Sequence, residues 1–235
     1  MNMRNSQTLK NGCCALLLCC ILAVPCLGSD NTTMAVITKV IPAVEKKTTS
    51  VDWSKASAGA ALLAGDQIRT GKLALAVIKF TDQSIMRLRE QSELTLSAEG
   101  QRGSMIKTVN LSSGGFGFDV HKQQNEQFRL TSPTSVASIR GTKGIWCGGQ
   151  GADTLLVIEG LVNLGNLVSK RDIDIAAGFI GFSGKDGDLS SRRATEQELL
   201  RAAQIVRGSG LPGEIKLELK DPQDNKRELQ LKIKQ

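Results

Sequence analysis

Residues 128–160 read FRLTSPTSVASIRGTKGIWCGGQGADTLLVIEG, and the fold turns on this stretch. Phe128 and Leu130 alternate with polar residues up to Ser132-Pro133, and a β-branched run then leads to Ile139-Arg140-Gly141-Thr142. Ile145, Trp146 and Cys147 enter a cluster formed by Gly148, Gly149 and Gly151; Leu155 to Ile158 then runs into Glu159-Gly160. Short strand-forming runs punctuated by tight-turn residues read as successive β-strands. No hydrolytic or transfer chemistry requires these residue types at this spacing, so the element reads as architectural.

The same grammar extends upstream. Val36, Ile37, Val40 and Ile41 predict a first strand ending near Pro42, and Gly65-Asp66 and Thr70-Gly71 supply turn chemistry. Beyond Leu75, Val77 and Phe80, the turn Thr81-Asp82-Gln83-Ser84 leads to Ile85, Arg87 and Arg89 on one parity and Met86 and Leu88 on the other. That alternation predicts one apolar and one wet face. Ile106, Val109 and Leu111, then Ser112 to Val120 as another turn and strand with Phe116 and Phe118 in step, complete the approach to the opening stretch. Downstream, Val162, Leu164, Ile173 and Ile175 continue the pattern. The expected fold is all-β, a twisted β-solenoid-like or double-layer body of short strands stacking their apolar faces.

The C-terminal part differs. Thr195-Glu196-Gln197-Glu198 is a capping-box sequence, Leu199, Leu200, Ala203 and Val206 fall at helical spacing, and Gly208 can end the helix. Ile215, Leu217 and Leu219, then Leu229, Leu231 and Ile233, alternate strictly on either side of Asp221-Pro222 and predict a β-hairpin. The helix is expected to cap that hairpin or the end of the β body. The domain reading is a leader at 1–28, a β domain at 29–185, and a helix plus hairpin at 186–235.

Trp53, Gly59, Leu62, Gly65-Asp66, Ile68 and Thr70, with Arg140-Gly141-Thr142 and Glu159-Gly160, resemble the FecR domain. This chain carries Gln83 where the family commonly has glycine in the turn after the phenylalanine. The resemblance fades between Gly178 and Gly187. It implies a solenoid-like exported domain without enzymatic activity, with Gly65, Asp66, Arg140, Gly141, Thr142, Glu159 and Gly160 as structural turn residues. Full-length members of the family also carry a cytoplasmic anti-sigma segment and a membrane helix. Here the apolar run begins after only twelve residues, so no such segment is expected.

Composition narrows the options. The 235 residues carry 30 Lys and Arg against 23 Asp and Glu, a net charge of +7 that includes Arg4 and Lys10 of the leader. The basic residues are interleaved with acids, and aromatics make up only 3%, so the stripe and stacking platform of a nucleic-acid binder are missing. Met1 to Lys10 is polar and positive, Cys13 to Val24 is apolar, and Pro25-Cys26-Leu27-Gly28 ends in small residues. This is the order of a secretory signal peptide, cleaved after Gly28, and the run is too short for a comfortable membrane span. The expected location is periplasmic or secreted, with no stable membrane span after cleavage; lipid anchoring at Cys26 is the competing outcome.

Single residues offer little chemistry. His121 is the only histidine and reads as a loop residue. Cys147 is the only cysteine after the leader, and beside Ile145 and Trp146 it reads as a small core residue rather than a nucleophile. Asp186-Gly187-Asp188 supplies fewer oxygens than a calcium loop uses. No catalytic group, cofactor or metal is expected. The expected function is an envelope binding or scaffold module, or a periplasmic sensor subunit of a FecR-type cell-surface signalling system. The expected partner is another envelope protein, met by strand addition at the charged edge of the terminal hairpin.

Overall fold

The computed structural model describes residues 33–100, 104–122, 127–149 and 151–208, together with the backbone of 213–220 and 226–233. The expected leader lies outside the described residues. The first strands are β1 (Ala35–Ile41), β2 (Val44–Lys47), β3 (Ser54–Lys55), β4 (Ala61–Leu62), β5 (Gln67–Thr70), β6 (Leu75–Phe80), β7 (Ile85–Leu88) and β8 (Glu93–Glu99). A long β9 (Ile106–Val120) precedes β10 (Gln127–Thr131), β11 (Ser135–Ile139), β12 (Thr142–Gly148), β13 (Ala152–Glu159) and β14 (Leu161–Asn166). Then come β15 (Asp172–Ala176), β16 (Phe179–Gly184), β17 (Leu189–Arg193), helix α1 (Glu196–Arg207), and a hairpin of β18 (Gly213–Lys220) and β19 (Lys226–Ile233).

The strands of the body form two layers, and both follow the order of the sequence beyond their first strand. One runs β4-β1-β6-β7-β9-β12-β13-β16-β17. The other runs β3-β2-β5-β8-β9-β10-β11-β14-β15. Among the described residues, β9 with β10 is the one parallel pairing. The body is thus double-layered in section and solenoid-like in its advance.

β9 belongs to both layers. Its first half pairs with β8 and β10, and its second half with β7 and β12. The sequence predicts a turn and then a strand over Ser112 to Val120; the strand instead runs through and changes layer at Gly114, where φ is +87°. A Cβ on Gly114 would fall 2.2 Å from Ser92 Oγ, which accepts the Gly115 amide at 2.9 Å. Only glycine fits a positive φ at that distance.

The two layers enclose one core. Phe116, Phe118 and Trp146 are buried there, and Phe80 meets Phe128 edge-on at 5.0 Å. A second apolar cluster lies on the outer face of the first layer. There Ile145, Cys147, Leu156, Ile180 and Phe182 pack against Ala202, Ile205 and Val206 of α1. The helix therefore covers that face of the first layer rather than an end of the body. The reason is legible in the strands: Ile145 and Cys147 flank Trp146, and Leu156 sits between Leu155 and Val157. A strand apolar on both parities needs cover on both sides. The expectation of a wet face is also corrected at Arg89, which is only 6% exposed and lies near Cys147.

Local chemistry holds the helix. Thr195 and Glu198 form the reciprocal capping box, and Gly208 closes the other end at φ 66°. Arg192 donates to Glu198 through Nη1 and Nη2, at 3.0 and 2.7 Å, tying β17 to the first turn. Gly117 lets the helix approach β9, since a Cβ there would stand 3.0 Å from Ile205 Cγ2.

Candidate functional site

Two halves of the sequence signature meet in space. The chain passes from β11 in the second layer to β12 in the first at Arg140-Gly141, and returns from β13 to β14 at Glu159-Gly160. Gly141 has φ +65° and Gly160 has φ +93°. A Cβ on Gly160 would lie 2.8 Å from the Gly141 carbonyl oxygen and 2.9 Å from Thr142 Oγ1. The corners are nested, and glycine is what lets them touch. Thr142 is buried, with its hydroxyl toward the Arg140 and Leu161 carbonyls, while Lys143 and Glu159 pair across the strands at 2.9 Å. Arg140 is exposed.

Gly65-Asp66 stands apart, in the turn between β4 and β5. Gly65 has φ +92°. Asp66 is 1% exposed; its Oδ2 accepts the Leu63 amide at 2.9 Å and pairs with Lys46 Nζ at 2.9 Å. The turn at Asp82 has no glycine, and Gln83 itself adopts φ +69°. Asp82 Oδ1 accepts the Ser84 amide at 2.9 Å and so steadies that strained turn.

Three further polar contacts join one layer to the other. Lys107 of β9 and Asp82 of the β6–β7 turn pair at 2.9 Å with side chains only 3% and 4% exposed. Ser132 and Thr134 of the β10–β11 turn and Ser135 at the start of β11 all donate to Asp153 Oδ2 of β13. Asn166 at the end of β14 donates to Ser183 Oγ at 2.9 Å and the Gly184 carbonyl at 2.7 Å. Its Oδ1 accepts the amides of Val168 and Ser169. Each is a polar clasp where turns of opposite layers come together. The sequence reading missed them, although a signal was present. Lys107 shares parity with the buried Val109 and Leu111, and Asp153 with Leu155 and Val157, so each is a charge in an inward position beside a turn.

The hydroxyls and carboxylate of the Asp153 cluster are the ingredients of nucleophilic chemistry, but the arrangement serves packing. All four side chains are buried, and every hydroxyl points its proton into the carboxylate. Cys147 lies under α1, where burial pushes its thiol up to about 12 while the nearby Arg89 guanidinium pulls the other way. Such a thiol is no thiolate at neutral pH. His121 is exposed, with its amide donating to Ser84 Oγ. Asp186 Oδ1 accepts the Asp188 amide within its own turn. Among the described residues, no group of three His, Cys, Asp or Glu side chains could hold a metal. No helix among them is long and apolar enough to cross a membrane.

A double layer of strands, cornered by an Arg-Gly-Thr and a Glu-Gly turn and covered on one face by a single helix, defines an all-β domain class. Residues 66–163 match the family model described as FecR protein. The fold is similar to two crystal structures of a candidate anti-sigma factor from Parabacteroides distasonis ATCC 8503. One has a TM-score of 0.53 at 12% identity, covering 67% of this chain and 70% of the other. The second has a TM-score of 0.54 at 12% identity, covering 72% and 85%. No curated protein matches the sequence.

Proposed function

We propose that this chain is an exported, non-enzymatic FecR-domain protein that regulates by binding another envelope protein through strand addition. The observation that carries this reading is how the signature is used. Arg140-Gly141-Thr142 and Glu159-Gly160 shape nested corners, and Asp66 is buried in its turn. With those residues committed to the body, recognition falls to its surface and strand edges. β15 and β17 end the two layers and, among the described residues, each has a neighbour on one side only; the hairpin β18–β19 offers edges of its own. Unpaired edge amides and carbonyls are the chemistry that captures an extended partner. The three-part leader supports export, with the mature chain starting near Ser29.

The test is genetic and biochemical together. Deleting the gene should change transcription of one sigma-factor regulon, and the protein should be recovered outside the cytoplasm with its N-terminus near Ser29. If every regulon stays unchanged while an envelope partner is still captured, the regulatory reading fails and a scaffold role is left. An N-terminal peptide carrying lipid on Cys26 would replace simple cleavage with anchoring.

A further inference from the structure

From the course of α1 and the pattern on the first layer, we infer that the terminal hairpin β18–β19 docks by its apolar face onto the outer face of β1, β6 and β7. This inference is independent of the proposed function. The helix covers only part of that layer: its apolar contacts fall on β12, β13 and β16 and, through Gly117, on β9. It ends over β7, where a Cβ on Gly208 would stand 2.8 Å from Arg87 Nε. The next strands beyond β7 are β6 and β1.

Their outward residues follow from register. The inward set is Ile37, Ile78, Phe80, Met86 and Leu88, all buried in the main core. The outward set comprises Val36 opposite Lys79, with Lys79 opposite Ile85, and Lys39 opposite Val77, with Val77 opposite Arg87. Val36, Val77 and Ile85 are half-buried and alternate with basic residues, Lys79 lying between Val36 and Ile85 and Val77 between Lys39 and Arg87, so the apolar positions share this surface with lysine and arginine stems. The helix that shields the rest of the layer stops at its border.

The chain then supplies a matching element. Ile215 faces Leu231 and Leu217 faces Leu229, and strand alternation puts these positions on one face with Leu219 and Ile233. A lone two-stranded hairpin is marginal in water and needs a surface to cover such a face. Four residues, 209–212, separate Gly208 from β18, a reach of about 13–14 Å when extended. Neighbouring strands are about 4.8 Å apart, so β6 and β1 both lie within that reach of β7. Docking there continues the cover that α1 begins and leaves the edges of the hairpin open.

The test uses the full chain. Methyl nuclear Overhauser effects should connect Val77 or Ile85 with Leu217, Leu229 or Leu231. Val77→Asp and Leu217→Asp should each lower the melting temperature by about 2–4 °C. The double variant should melt no lower than the worse single one, because both remove the same contact. Additive losses, or absence of those Overhauser effects, would overturn the assignment. So would effects seen only between differently labelled copies in a mixed sample, which would mean that the hairpin docks on a second molecule.

Discussion

At Gly141 and Gly160 the chain rounds the same corner in opposite directions; backbone atoms leave Gly160 no room for a Cβ, and a positive φ is what disfavours one at Gly141. Gly141 combines φ +65° with a Lys122 Cβ that would stand 3.2 Å from an added Cβ. Gly141→Val should therefore cost about 1–3 kcal/mol in denaturant unfolding, through backbone strain alone; a variant as stable as the parent would remove the architectural reading of the Arg-Gly-Thr turn. Glu198 carries a different kind of information. Burial by itself would raise its carboxyl, but Arg192 and Thr195 together hold it below the ordinary 4.5. A carboxylate whose folded pKa is depressed stabilises the fold fully above the unfolded value and loses that contribution as pH falls through the folded one. The stability gap between the parent and Glu198→Gln should thus be constant near neutrality and shrink below about pH 4.5. A gap unchanged down to pH 3 would show that the contact works without its charge.

Two elements, β9 and α1, determine how the strands become a body. The helix sits on β9 only because Gly117 is bare, so Gly117→Val should lift α1 and expose Cys147. Peptide mapping after alkylation should find Cys147 unreactive in the parent and modified in the variant; equal protection in both would mean that the helix adjusts without lifting. The sequence made the elements themselves legible: the alternation, the Gly-Asp and Arg-Gly-Thr turns, the capping box and Gly208 all act within a few residues of one another. Placement was harder to read. The helix was expected at the hairpin or the end of the body because its own periodicity names an apolar face but not the face that receives it. The partner signal lay in β12 and β13, where apolar residues on both parities mark strands buried from two sides. The layer change in β9 was hidden for a similar reason. Gly114-Gly115 reads as a turn until Ser92, distant in sequence, is known to press against it. The candidate site divides in the same way: the nested corners were visible as motifs, whereas the clasps at Asp153, Asn166 and Lys107 require knowing which turns face each other.

Over the whole molecule, those clasps and the shared strand bind the two halves into one cooperative unit. Asp153→Ala leaves three buried hydroxyls without their acceptor, and each unsatisfied group costs about 1–3 kcal/mol. Melting should shift several degrees lower and remain a single transition, because β9 continues through both layers; two separated transitions in calorimetry would show that the halves unfold independently. The ordering of the layers bears on how such a chain is made. In the body, from β4 onward, every strand except β7, β11, β13, β15 and β17 has a long-range partner that precedes it, and those five are hairpin partners of the strand just before them. No strand must be threaded between two that have already joined. A polypeptide delivered N-terminus first, from a ribosome or through a secretion channel, can therefore assemble in the direction of its delivery, each arriving segment finding its template already laid down.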